Sequence, residues 1–336
     1  MRAVVLVGGE GTRLRPLTLT RPKPMLPVGG IPMLARKLAH LAEHRVTEAV
    51  LSLGYRPDAF IAAFPSGEAA GVRLQYAVEP SPLDTAGAIR FAAAEAGFLD
   101  GSADPIIAAN GDVLTTLDLT AQVAFHRSVG ARATIALTRV EDPSAFGVVP
   151  CDPDGRVIAF VEKPKREDAP TNWINAGTYV LDPSVIRAIP AETRISIERI
   201  VFPDLVAEGT LYAVHADDPW IDAGIPSTYL QANLDAIAGS NSSPAGIVHP
   251  SARVSAGAIV ERSVLGARCV IAQGAVVRRS VLLDGAVVET GAIVEDSILG
   301  EGARIGEGAV LRGLSVVGDG AVVLAGDELI GVRVPS

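Results

Sequence analysis

Through the first 238 residues short apolar runs alternate with stretches whose apolar positions recur at helical spacing. AVVLV (3–7), EAVLSLG (48–54), VRLQYAV (72–78), PIIAANGD (105–112) and RATIALTRV (132–140) read as strands. PMLARKLAHLAEHR (32–45), TAGAIRFAAAEAG (85–97) and DLTAQVAFHRSVG (118–130) read as the helices between them. Strands alternating with helices predict a Rossmann-like α/β domain on a mixed, mostly parallel sheet covered on both faces. On such sheets ligands bind at the carboxyl ends of strands, and two loops, GGEG and NGD, fall there.

Beyond a small-residue linker, AGSNSSPAG (238–246), the pattern changes. Aliphatic residues recur every five or six positions: Val248, Val254, Ile259, Val264, Val270, Val276, Val281, Val287, Ile293 and Ile298, then Val310, Val316 and Val322. Ala or Ser often precedes them. Six matches neither helix nor simple strand. It predicts a three-sided coil, a left-handed parallel β-helix of hexapeptide repeats, in which these aliphatics point inward. The expected division is 1–238 for the α/β domain, 239–246 for the linker and 247–330 for the coil.

Composition narrows the partners. The 336 residues carry a net charge of −9, which argues against nucleic acid. An anionic substrate must then meet a local concentration of cations. No apolar run approaches the roughly 20 residues of a membrane span, and the N-terminus does not read as a signal peptide. Two distant cysteines, Cys151 and Cys269, predict neither a disulfide framework nor a thiolate metal site, so a cytoplasmic protein is expected. The five histidines lack metal-ligand spacing, and His40 and His44 read as surface residues.

The first candidate site is LVGGEGTRLRPLT (6–18). The strand AVVLV (3–7) feeds Gly8, Gly9 and Gly11, where bare backbone lets amides approach a ligand. Thr12 and Arg13 follow, and Arg15, Arg21 and Lys23 bring the total to four cations within eleven residues. A strand–turn–helix connection with solvated arginines is the plain alternative. Cation density in an acidic chain favours a grip on phosphate, although neither a P-loop nor a dinucleotide glycine pattern is present.

GGEGTRLRPLT…RPKPMLPV resembles the signature of sugar-1-phosphate nucleotidyltransferases. LDTAGAI (83–89), NGD (110–112), FGVV (146–149), FVEKP (160–164), NAGTYVL (175–181) and WIDAG (220–224) continue the likeness in order. TRLRPLT, SIERIVFP and the short coil are similar to the branch that joins GTP to mannose-1-phosphate. The resemblance implies a catalytic set of Arg13, Lys23, Asp112, Lys163 and Asp222. It puts the nucleotide on Leu6, Gly8, Gly9, Gly11, Thr12, Arg13, Lys23, Glu79, Thr85, Ala86, Gly87 and Asp112. The sugar phosphate would meet Gly147, Glu162, Lys163 and Asn175. Asp112 and Asp222 would hold Mg²⁺, which prefers oxygen ligands and keeps several waters. A lone Asp after a strand is otherwise a cap, and only the resemblance assigns these two to metal.

One position departs from the family pattern: residue 84, usually Gly, is Asp, a carboxylate that could accept from guanine N1–H and N2–H₂ but reads first as the cap of a helix beginning at Thr85. Base selection is expected from Glu79 to Gly87. A glucose-1-phosphate thymidylyl- or uridylyltransferase shares the same phosphate machinery. A non-catalytic regulatory subunit, the reading from another class, predicts damaged motifs, and these are intact. An acetyltransferase coil would need a histidine base, and His249 is the only histidine after the linker. A coil this short exposes its ends, so a homo-oligomer joined through it is expected.

Overall fold

Ala3, Val4 and Val5 are fully buried because β1 (Arg2–Leu6) lies inside a sheet. In the computed structural model, which describes residues 1–54, 56–101, 103–239 and 243–335, the chain packs as two units. The first comprises Met1–Gly9 and Leu34–Trp220; the second comprises Glu10–Met33 and the chain from Ile221 onward. Residues 240–242 of the expected linker lie outside the described residues.

The first unit holds β1, β2 (Glu48–Leu53), β3 (Glu68–Ala69), β4 (Val72–Val78) and β5 (Ile106–Asn110). It continues with β6 (Ala133–Arg139), β7 (Gly147–Val148), β8 (Val161–Glu162), β9 (Trp173–Leu181) and β10 (Leu211–His215). The sheet order is β8-β7-β9-β5-β1-β2-β4-β3, with β6 pairing with β9 and β10 pairing with β6. β1, β2, β4 and β5 are parallel, as the alternating pattern predicts. β9 runs antiparallel to both β5 and β6 and makes the sheet mixed. Its register with β6 shifts between Asn175 and Tyr179, a bulge that redirects side chains at a strand centre. Helices α1 (Met33–Glu43), α2 (Pro57–Ala63), α3 (Asp84–Glu95), α4 (Leu119–Ser128), α5 (Pro183–Ala188) and α6 (Phe202–Ala207) connect the strands. Val4, Val50, Ile106, Ile135, Tyr179 and Phe202 belong to one core cluster.

In the second unit, short parallel strands stack into three sheets of six, five and five strands, the left-handed β-helix that the six-residue period predicts. The phase of that period is corrected. The coil's interior is built from Leu265, Ile271, Val277, Leu282, Val288, Val294, Leu299, Ile305, Leu311, Val317 and Val323, with Ala275, Ala286, Ala292, Ala303 and Ala309. The aliphatics predicted to point inward sit one position earlier and face outward; Val254, Ile259 and Val322 are 44%, 40% and 53% exposed. Neighbours in a strand point to opposite faces. Most of these strands hold two adjacent aliphatics, such as Val-Val, Val-Leu or Ile-Val, so periodicity fixed the spacing but not the face. On the six-stranded sheet the outward Val264, Val281, Ile298 and Val316 are also buried, and α7 (Pro226–Ala238) packs on this sheet.

Candidate active site

The loop after β1 folds back on itself in the second unit. Gly11 adopts the left-handed conformation (φ 63°), and a Cβ there would lie 2.9 Å from Lys23 Cβ. Thr18 Oγ1 donates to the Gly11 carbonyl at 2.8 Å, and Leu14, Leu17 and Leu26 are buried beneath the loop. Thr12 opens the short 3₁₀ turn that ends at Leu14 and carries Arg13. Lys23 is only 6% exposed, and its Nζ lies 3.4 Å from Asp222 Oδ1.

Three charged tips converge on the bare face of Gly224. A Cβ built there would lie 2.7 Å from Asp222 Oδ1, 2.9 Å from Lys23 Nζ and 3.0 Å from Arg13 Nη2. Two cations and a carboxylate thus surround a spot that any side chain would fill. Of the four loop cations, Arg13 and Lys23 form this cluster. Arg15 instead pairs with Glu10 at the surface, and Arg21 with Glu301 and Asp319 of the coil.

In the first unit, Gly111 of NGD donates its N–H to the Leu6 carbonyl at 2.9 Å, tying the ends of β1 and β5. Asp112 follows. It acts on Lys37, a fully buried lysine of α1 whose ammonium burial pushes down to about 8, with the Asp112 charge opposing. Leu34, Lys37, Leu38 and Leu41 are all buried, so a lysine on an apolar helical stripe was the missed signal. A Cβ on Gly8 would lie 3.2 Å from Glu79 Oε1, whereas Gly9 has open space. Glu79 accepts from Ser52 Oγ at 2.9 Å and from the Leu83 N–H at 3.1 Å.

The segment assigned to the base is stitched to residues 195–198. Ala86 and Gly87 donate their N–H groups to the Ile195 carbonyl. Thr85 Oγ1 donates to Glu198 Oε2 at 2.8 Å and accepts from the Ile197 N–H. Glu198 belongs to SIERIVFP, where sequence gave it no role. Asp84 is the first residue of α3 rather than its cap: Leu83 holds the N-cap position with no side-chain cap hydrogen bond, and Asp84, at φ 60°, accepts from the adjacent Thr85 N–H at 2.8 Å instead of from an amide one turn on.

Three residues of the sugar-phosphate assignment are neighbours: Gly147 pairs with Glu162 across β7 and β8, and the Lys163 N–H donates to the Phe146 carbonyl at 3.0 Å. Lys163 Nζ pairs with Glu162 Oε1 at 3.2 Å and is well exposed. Asn175 Nδ2 donates to the Tyr179 hydroxyl at 2.9 Å, and its Oδ1 accepts from the Gly177 N–H. Burial drives the Tyr179 hydroxyl's pKa well up, aided by nearby Glu198 and Glu162. Trp220 packs edge-on against Phe146 and donates its indole N–H to the Ala176 carbonyl. His40 and His44 are half-buried rather than superficial; His40 Nε2 lies 2.9 Å from the Leu117 carbonyl.

A strand-end glycine loop, convergent phosphate-type cations and a hexapeptide coil define a nucleotide-transferring enzyme, and the chain belongs to the Nucleotidyl transferase family, matched over residues 2–239. Residues 243–332 match the GMPPB C-terminal domain. A mannose-1-phosphate guanylyltransferase of Mycobacterium tuberculosis is 44% identical over 267 residues, covering 77% of this chain and 72% of the relative. A probable mannose-1-phosphate guanylyltransferase 1 of Oryza sativa subsp. japonica is 38% identical, covering 81% of this chain and 74% of the relative. The solved structure of HddC from Yersinia pseudotuberculosis complexed with GMP-PN superposes with a TM-score of 0.59 at 30% identity, covering 70% of this chain and 98% of that one.

Proposed function

We propose that this protein joins GTP to mannose-1-phosphate, forming GDP-mannose and releasing pyrophosphate. The convergence of Arg13, Lys23 and Asp222 on Gly224 carries the reading, because it concentrates cations where an acidic protein must hold a polyanion. The relatives' names support the choice of substrates.

An oxygen of the sugar phosphate attacks the α-phosphorus of GTP. The bond to the β-phosphate oxygen breaks, and pyrophosphate leaves with the charge. The attacking group is already ionised at neutral pH, since a phosphate monoester has its second pKa near ~6. No side-chain base is required, and the barrier is the meeting of two anions. Catalysis therefore consists of positioning and charge neutralisation. Arg13 and Lys23 draw the charge of the departing pyrophosphate, and amides of the glycine loop bind its oxygens. Lys163 exchanges Glu162 for the sugar phosphate, leaving the Glu162 carboxylate for sugar hydroxyls. Gly147 and Asn175 shape that end.

Mg²⁺ completes the reading. Among the described residues no cluster of three or more His, Cys, Asp or Glu side chains can hold a metal. Two carboxylates suffice for a cation that draws its remaining oxygens from phosphate and water, and the family resemblance gives that role to Asp112 and Asp222. When bound, it would supply positive charge at the α-phosphate.

The reading also includes a cytoplasmic homo-oligomer joined through the coil. Exposed Val322, Leu324 and Ile330 near the coil's end support the assembly, and two free cysteines suit a reducing compartment. Among the described residues no helix is long and apolar enough to cross a membrane. The functional test is to incubate the protein with GTP, mannose-1-phosphate and Mg²⁺ and to follow GDP-mannose and pyrophosphate together. Equal amounts of both are expected, lost in Arg13→Ala and Asp222→Asn. Failure to form either product would overturn the proposal.

A further inference from the structure

The loop that carries Arg13 and Lys23 is fastened to the coil at several points. Arg333 Nη2 donates to the Arg13 carbonyl at 3.1 Å. Thr20 Oγ1 donates to Asp319 Oδ2, and Arg21 Nη2 pairs with Glu301 and, at 3.5 Å, with Asp319. Pro16 packs over Gly318 so closely that a Cβ there would lie 2.9 Å from Pro16 Cβ. α7 holds the far end of the loop: Tyr229 donates its hydroxyl hydrogen to the Pro27 carbonyl at 2.6 Å, and Asn233 Oδ1 accepts from the Gly29 N–H at 2.9 Å.

Asp319 separates two jobs. Its Oδ1 accepts from the Glu301 N–H at 2.8 Å, a bond between successive turns of the coil. Asp284 makes the equivalent bond two turns earlier, to the Ala267 N–H at 2.9 Å. Building the coil accounts for Asp284. It does not account for Asp319 Oδ2, which is spent on Thr20 and Arg21. The Asp319 side chain is only 13% exposed, so its pairing with Arg21 is shielded from water and screened less than a surface pair.

We infer that the coil positions the phosphate loop, and that Asp319, Glu301 and Arg333 are positioning residues for the triphosphate. The inference rests on the proposed transferase reading, because it assigns the loop's cations to GTP. Arg13 is one 3₁₀ turn from the Pro16–Gly318 contact. A loop released from the coil would have to be ordered by the nucleotide itself. That cost appears as weaker nucleotide binding, with the reacting groups unchanged.

The paired coil aspartates provide the test. Asp319→Asn retains an oxygen for the Glu301 amide and removes the charge facing Arg21; Asp284→Asn makes the same change where no loop is held. KM for GTP and kcat are measured in the full chain, and deuterium uptake of residues 12–26 is followed without nucleotide. Asp319→Asn is expected to raise KM for GTP about 10-fold over Asp284→Asn with little change in kcat, and to speed exchange in the loop. Arg333→Ala should act in the same direction, with Arg333→Lys restoring part of the loss. Equal KM and equal loop exchange in the two aspartate variants would overturn the inference. If the wild-type protein releases no pyrophosphate, the transferase reading fails, and the exchange comparison alone still decides whether the coil holds the loop.

Discussion

Replacing Gly224 by Ala adds one methyl group at the meeting point of three charges. Ordinary contact begins at 3.4 Å, whereas the new Cβ would stand 2.7 Å from Asp222 Oδ1, so that oxygen must retreat by about 0.7 Å. Lys23 Nζ and Arg13 Nη2, at 2.9 and 3.0 Å, must move by about 0.5 and 0.4 Å. All three are side-chain ends, so the fold can absorb the change. The active geometry cannot, because displacing catalytic groups by approaching 1 Å costs on the order of 100-fold in rate. We expect kcat/KM for pyrophosphate release to fall about 100-fold, roughly 2.7 kcal/mol of transition-state stabilisation. Melting temperature should change little, since the backbone of Gly224 lies outside the left-handed region. Near-normal turnover in a folded Gly224→Ala protein would refute the assignment of this cluster to the reaction.

Other outcomes follow from buried groups. Burial lowers the pKa of His40, His126 and His215, so the unfolded chain takes up more protons than the folded one just below the ordinary histidine value of 6.5. Melting temperature should therefore fall as pH drops through that window, and less steeply in His126→Asn; a pH-independent melting point between 7 and 5 would contradict this. Burial raises both thiols to about 11, so Cys151 and Cys269 should react slowly with thiol reagents at pH 8 and rapidly in guanidinium. Light scattering at micromolar concentration should give a multiple of the 34.7 kDa chain mass; a monomer would remove the assembly proposal.

Much of the fold was legible because its signals are local. Alternating apolar runs marked β1, β2, β4, β5 and β6, and the six-residue period marked the coil. The inward face of the coil was not legible, since adjacent aliphatics such as Val276 and Val277 leave the phase open. The antiparallel β9 was read only as the motif NAGTYVL, although Trp173–Leu181 is apolar enough for a buried strand. Within the site, the family resemblance named Arg13, Lys23 and Asp222, and the structure brings these together in one unit. Cation density by itself does not separate Arg13 and Lys23 from Arg15 and Arg21, because which cation meets which carboxylate depends on contacts far apart in sequence. Arg21 and Asp319 are such a pair. From sequence the coil reads as an appended stacking module; the phosphate loop's attachment to it rests on contacts such as Thr20 with Asp319, 299 positions apart.

The central claim is selection of one nucleotide and one sugar phosphate, and kcat/KM across GTP, ATP, UTP and dTTP against mannose-1-phosphate and glucose-1-phosphate tests it most directly. Guanine presents adjacent donors, and a site built to accept them leaves polar groups unpaired when a pyrimidine binds, a loss worth about two or more orders of magnitude. We predict that GTP with mannose-1-phosphate exceeds every other pair by at least that margin. A preference for dTTP or UTP with glucose-1-phosphate would contradict it.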